Sequence, residues 1–193
     1  MKKSIKILAL ILTAIMIIGV LPGCGSSKQV VKVYNWGDYI DPDVLKQFTK
    51  ETGIKVVYDT FETNEDMFLK IKNSGGYSYD VAIPSDYMIK KMIDNDMLAE
   101  INYNNVPNFK NIDSKFLNMS YDPENAYSIP YQWGTVCIAY NDTMVTDPVD
   151  SWDILWNPKY KKKIFMMNSE RDSIGVALLS LGYSLNTENP EEL

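Results

Sequence analysis

The chain reads as an α/β protein built on a largely parallel sheet, and three observations predict this. Strand-like and helix-like segments alternate from Val30 to Ile83 in the order strand, helix, strand, helix, strand, the pattern that right-handed crossovers produce. Hydrophobic residues make up 46% of the 193, enough for a real core in one large domain or two small ones. The helix ends carry their own punctuation, with Asp41, Thr63 and Ser85 at starts and Gly53 and Gly75-Gly76 at stops.

Before the first strand lies a different kind of sequence. Lys2, Lys3 and Lys6 precede an uncharged run from Ile7 to Val20, short for a membrane span but right for the apolar part of a signal peptide. Residues 1–23 are therefore expected to be a signal peptide, with an uncut signal anchor as the alternative. Leu21-Pro22-Gly23-Cys24 resembles a bacterial lipobox, in which the Cys24 thiol is acylated and becomes the mature N-terminus. Residues 24–29 are small and polar after that cysteine, the composition of a flexible tether between anchor and folded body.

Strand one is expected over Val30 to Asn35. Asp41 then stands as an N-cap with Pro42 at the first helical position, and Val44, Leu45 and Phe48 form an apolar stripe until Gly53. Ile54 to Thr60 is the next strand. Thr63, with Asp66 three residues on, makes a capping-box-like start to a second helix carrying Met67, Phe68 and Ile71. Val81-Ala82-Ile83 reads as a short buried strand, and Ser85 as the N-cap of a helix through Met88, Ile89 and Met92. Asn95 to Asn125 is irregular and rich in Asn, Asp and Pro. Tyr127 to Gly134 leads into an expected strand from Thr135 to Tyr140, within which Cys137 reads as a small buried hydrophobe. A new unit is expected after Asn141: a short helix at Trp152 to Trp156, a strand at Ile164 to Met167 and a helix from Ser173 to Leu181 ended by Gly182. Asn189-Pro190-Glu191-Glu192 is a helix-start signature directly before Leu193, so the chain is read as an N-terminal fragment.

Composition excludes several functions. Removing the three leader lysines leaves 16 basic against 25 acidic residues, a net charge of −9, which argues against a nucleic-acid partner and favours cationic solutes. The chain has no histidine, which excludes Ser-His-Asp and Cys-His catalysis and the usual histidine zinc sites within these residues. Arg171 is the only arginine, so a bidentate clamp for a carboxylate or phosphate has at most one candidate. Lys161-Lys162-Lys163 reads as a solvated corner. Met88, Met92, Met166 and Met167 read as core filling rather than as metal ligands. No glycine-rich phosphate loop is present, and no cofactor is expected.

The stretch Tyr34-Asn35-Trp36-Gly37-Asp38-Tyr39 is the centre of the functional argument. Asn35 and Gly37 stop the first strand, which puts Trp36, Asp38 and Tyr39 on a loop past its carboxyl end, where open α/β sheets bind ligands. Two aromatic faces beside a carboxylate suit an organic cation, through cation–π attraction and charge-assisted hydrogen bonds. The alternative, that both rings are core aromatics and Asp38 an ordinary turn residue, stands beside this reading. Pro84-Ser85-Asp86-Tyr87, after the third strand, again joins a hydroxyl, a carboxylate and a ring. Plain capping by Ser85 with Tyr87 packed on the sheet is its alternative.

Several segments together resemble the bacterial spermidine/putrescine-binding proteins of polyamine importers. They are Val33 to Tyr39, Phe48 to Val56, Tyr79 to Tyr87, Tyr127 to Gly134 and Ser180 to Ser184, in register from about Val30 to Leu193. The resemblance implies a two-lobed, type II periplasmic-binding-protein-like fold. Residues 30–134 would form the first lobe, and 135–193 a crossover strand with an incomplete second lobe. It implies a receptor without catalysis of its own, monomeric when complete, that closes over a polyamine and docks on the permease of an ATP-driven (ABC-type) transporter. Such a protein works outside the cytoplasm, in the periplasmic space or held by Cys24 to the membrane's outer face. Position by position, Trp36 matches a ring that stacks on the polyamine, Asp38 an acidic residue near an ammonium group, and Tyr39 a ring lining the cleft. Ser85 and Tyr87 match a polar and aromatic pair of the first lobe, and Asp172 a second-lobe carboxylate. Ser169 falls where some members carry another carboxylate, with Glu170 as its acidic neighbour, which leaves the preferred chain length open. A receptor for another solute such as a sugar, or an exported hydrolase using Asp38 with Asp172, are the alternatives.

Overall fold

Residues 29–193 are described in this computed structural model; the expected signal peptide and Cys24 lie outside the described residues. The β-branched run Val30-Val31, with Val33 and Tyr34, forms strand β1 (Val30–Trp36). It is the middle strand of three, in the order β2, β1, β3, where β2 is Lys55–Phe61 and β3 is Val81–Ala82. β3 pairs with β1 in parallel, Val33 facing Val81 and Tyr34 facing Ala82. At the start of β2 the Lys55 N–H donates to the Gln29 carbonyl at 2.8 Å, and at its end Phe61 meets Trp36 with ring centroids 4.5 Å apart. β2 therefore also runs with β1, and all three carboxyl ends share one rim.

The helices form where their caps predict. α1 (Pro42–Thr52) starts at Asp41, whose carboxylate accepts the Asp43 N–H at 2.9 Å, and stops at Gly53, whose φ of 75° lets its amide reach the Thr49 carbonyl. α2 (Asn64–Asn73) has a reciprocal cap: Thr63 Oγ1 accepts the Asp66 N–H at 3.2 Å and donates to Asp66 Oδ2 at 2.8 Å. α3 (Asp86–Ile93) follows Ser85, but the Ser85 hydroxyl makes no capping bond. Ser85 holds the N-cap position as expected, its carbonyl accepting the Met88 and Ile89 N–H groups at 3.0 and 3.1 Å, but its hydroxyl meets Asn64 across the loops instead of an α3 amide. α4 (Glu170–Ser180) begins three residues before the expected start, because Ser169 caps it by accepting the Asp172 N–H at 3.3 Å.

The described residues divide into two compact units. Residues 29–31 with Asp41–Val57 form one, and Lys32–Ile40 with Tyr58–Leu193 form the other. In the first, α1 buries no residue; Val44 and Phe48 of its apolar stripe are exposed. The second holds the core: Met67, Phe68 and Ile71 of α2 and Met88 and Met92 of α3 close over Tyr34 and Phe61. Three of these methionines, Met67, Met88 and Met92, are essentially inaccessible, each burial contributing about 1.5–3 kcal/mol. Trp36 and Tyr87 pack against the same cluster, so the core also carries the rim loops.

Two expected strands do not form. Thr135 to Tyr140 and Ile164 to Met167 are extended chain without a ladder. A strand is a relation between two segments, and among the described residues neither has a partner, so β-propensity alone cannot hold it. Cys137 is accordingly exposed rather than buried, and Met166 and Met167 are 44% and 47% exposed rather than core residues. β3 is also less covered than expected, with Val81 exposed. The expected helix at Trp152–Trp156 forms as a 3-10 turn, and α4 packs against it.

Candidate functional site

The rim at the carboxyl ends of the three strands gathers most of the candidate residues. β1 ends in Trp36 and is followed by Asp38 and Tyr39; β2 is followed by Asn64 and Glu65; β3 is followed by Ser85 and Tyr87. Trp36 is half-buried, one side against Phe61 and the other toward Tyr39 at 5.9 Å between centroids. Tyr39 is 41% exposed, so it is no core aromatic, while Trp36 serves the core and the rim together. Asp38 is exposed in the turn and has no ion-pair partner among the described residues.

The backbone of this loop is held by side chains from elsewhere in the same unit. Asn35 Oδ1 accepts the Trp36 N–H at 2.8 Å, and the Tyr58 hydroxyl donates to the Trp36 carbonyl at 3.1 Å. The Tyr131 hydroxyl donates to the Tyr39 carbonyl, with Gln132 Nε2 at 3.5 Å from the same oxygen. Burial raises the Tyr58 phenol pKa, and the neighbouring Asn35 amide partly opposes this. The wholly buried Asn35 Nδ2 nonetheless has no partner at hydrogen-bond geometry.

Tyr131 and Gln132 belong to the segment Tyr127–Gly134, and Asp122 anchors the start of that segment. Its carboxylate accepts the Ala126, Tyr127 and Ser128 N–H groups and the Ser128 hydroxyl at 2.7–3.0 Å. Four donors replace water around a buried charge that has no cationic partner among the described residues.

A second group of residues centres on Tyr87. The Asn64 amide donates to Ser85 Oγ and to the Tyr87 hydroxyl, each at 3.0 Å, and the Ser85 N–H donates to Asn64 Oδ1 at 3.0 Å. The Tyr87 hydroxyl in turn donates to Glu65 Oε1 at 2.9 Å. Its pKa is pushed up to about 12, first by burial and then by the hydrogen bond to the Glu65 carboxylate, with Asp172 adding a weaker push of the same sign. The phenol thus stays protonated at neutral pH. Asp172 comes from the first turn of α4, and the Arg171 guanidinium beside it lies 5.8 Å from the Tyr87 ring centre.

The structure brings Ser85 and Tyr87 together through Asn64, with Asp172 in the α4 turn whose Arg171 faces the Tyr87 ring, and sets Trp36, Asp38 and Tyr39 on one loop. Ser169 is occupied in capping α4. Asn64 and Glu65 were not singled out from the sequence. Their signal was their place just past the second strand's end, the same place that drew attention to the first and third loops.

The family model for bacterial extracellular solute-binding proteins matches residues 43–193. The chain belongs to that family. The spermidine/putrescine-binding periplasmic protein of Salmonella typhimurium is 40% identical over 178 residues, covering 91% of this chain and 51% of its own. The Escherichia coli K12 protein of the same description is 45% identical over 162 residues, 83% of this chain and 46% of its own. A solved structure described as a putative spermidine/putrescine ABC transporter from Listeria monocytogenes matches with a TM-score of 0.81 at 45% identity. It covers 85% of this chain and 51% of that one. This solute-binding protein therefore has their α/β fold, and it spans about half the length of the curated relatives it matches. Its family is extracellular and solute-binding.

Proposed function

We propose that the protein is a two-lobed extracytoplasmic receptor that binds a polyamine, spermidine or putrescine, and delivers it to the permease of an ATP-driven importer. The observation that carries this reading is the rim itself. Trp36 and Tyr39 offer ring faces beside Asp38 on one loop, and the Glu65 carboxylate accepts the Tyr87 hydroxyl at 2.9 Å at the same rim. A polyamine is a chain of ammonium groups joined by methylenes, so it needs alternating carboxylates and apolar walls, and each buried charge must be paired. The relatives described as spermidine/putrescine-binding proteins support the same ligand. Residues 30–134 form the first lobe in this reading, and the chain from 135 onward opens the second. The receptor acts as a monomer, held to the outer face of the membrane by a lipid on Cys24.

Titration calorimetry of the receptor at its full natural length tests this. Putrescine or spermidine should bind and a sugar should not. Trp36→Ala and Asp38→Asn should each weaken polyamine binding by about 1–3 kcal/mol, as expected for losing a ring wall or a charged hydrogen bond. Binding of a sugar with no heat from either polyamine would overturn the assignment, and wild-type affinity in both variants would show that the loop is structural.

A further inference from the structure

We propose that Asn64 is a positioning residue that presets Ser85 and Tyr87 to accept hydrogen bonds from a ligand cation; the inference rests on the polyamine reading above. Asn64 opens α2 and is 4% exposed. Its carboxamide ties the loop after β2 to the loop after β3 through three hydrogen bonds, two given and one received. The orientation of the amide follows from chemistry: the Ser85 N–H can only donate, so Asn64 Oδ1 must face it and Nδ2 must face the two hydroxyls.

That orientation sets the polarity of everything beyond it. An amide NH₂ has no lone pair to offer, so the Tyr87 hydroxyl receives from Asn64 and must send its single proton elsewhere, to Glu65. Ser85 Oγ likewise accepts from Asn64. The Ser85 oxygen keeps a second acceptor position beside its own rotatable proton, and the Tyr87 oxygen, its proton committed to Glu65, can only accept further; an ammonium group, which carries donors only, suits both. Hydroxyls whose protons were directed outward would instead suit an anion. Asn64 thus leaves Tyr87 only an acceptor for a ligand donor without touching the ligand, and holds both side chains in place before the ligand arrives.

Fluorine NMR of the ligand-free receptor, at full natural length and labelled with 3-fluorotyrosine, reads the positioning directly. The wild-type Tyr87 signal should be single and narrow. It should broaden or split in Asn64→Ala and in Asn64→Asp, which keeps an acceptor for the Ser85 N–H but has no N–H to give. The signals of Tyr103 and Tyr160 should stay in place in both variants. By calorimetry Asn64→Ala should weaken spermidine about 5- to 30-fold, but less than about twofold in a Ser85→Ala/Tyr87→Phe background, because the residue acts through those two side chains. An unchanged Tyr87 signal in both variants overturns the proposal, as does the same fold-loss in both backgrounds, which would mean general damage. If the wild-type receptor takes up no spermidine, the polyamine reading fails, and the fluorine spectra alone decide whether Asn64 positions Tyr87.

Discussion

Replacing Asp122 should destabilise the protein and loosen the segment that supports the first rim loop. The carboxylate is 3% exposed. Oδ1 accepts the Ala126 N–H at 3.0 Å, while Oδ2 accepts the Tyr127 N–H at 3.0 Å, the Ser128 N–H at 2.8 Å and the Ser128 hydroxyl at 2.7 Å. A hydrogen bond to a charged group contributes about 1.5–3 kcal/mol net, and these four share one carboxylate, so their losses do not add. Ala126, Tyr127 and Ser128 are half-buried, and water can reach part of what Asp122→Ala uncovers. The expected loss is about 3–5 kcal/mol for Asp122→Ala. Asp122→Asn keeps one oxygen and turns an amide N–H toward a backbone N–H, so about 1.5–3 kcal/mol is expected. Urea unfolding followed by far-ultraviolet circular dichroism measures both, provided the dependence on denaturant stays equal to wild type. Two variants within about 0.5 kcal/mol of wild type would refute the idea that this buried charge is held by its donors.

Tyr87→Phe should alter the alkaline limb of the stability curve. The phenol pKa is raised from 10.0 to about 12, so between these values the unfolded chain releases a proton that the folded one keeps. The stabilisation is complete below pH 10 and is lost as pH rises toward about 12. Urea midpoints measured across that window should fall less steeply in the variant, and an identical fall would show that Tyr87 is not the group responsible. Gly175 lies buried inside α4, where an added Cβ would sit 2.8 Å from Leu185 Cδ2, the end of a flexible side chain. Gly175→Ala should stay within about 1 kcal/mol of wild type, the helical gain offsetting the crowding. Gly175→Val should cost about 2–3 kcal/mol, and thermal melts placing it within about 0.5 kcal/mol of Gly175→Ala would show that Leu185 is easily displaced. Cys24→Ser should move the receptor from the membrane to the soluble fraction with spermidine affinity unchanged; retention on the membrane would indicate an uncut signal anchor instead.

Much of the fold was legible because its determinants lie within a few residues of one another. Asp41 with Pro42 and Gly53 bounds α1, and Thr63 with Asp66 opens α2, through hydrogen bonds that span no more than four positions. The alternation of strands and helices then left little choice but a parallel sheet, which the pairing of Val33 with Val81 shows. The same locality misled at Thr135 to Tyr140 and Ile164 to Met167. Their apolar, β-branched character is a preference, and a ladder needs a second strand that no local pattern supplies.

The sequence by itself determined which chemistry the rim could offer. It has no histidine and one arginine, and it sets aromatic rings beside carboxylates at the ends of strands, so side-chain chemistry suited to a cation was readable before any coordinate. Only the tertiary structure decided which side chains act on which. Ser85 looked like a helix cap because a serine before a helix usually is one. In the fold Asn64, 21 residues away, holds that hydroxyl with one donor and Tyr87 with the other. A long-range partner of that kind leaves no periodic trace in the chain. The competition between a local cap and a distant amide is settled by where the core places α2 against α3, through the close packing of Met67, Phe68, Met88 and Met92.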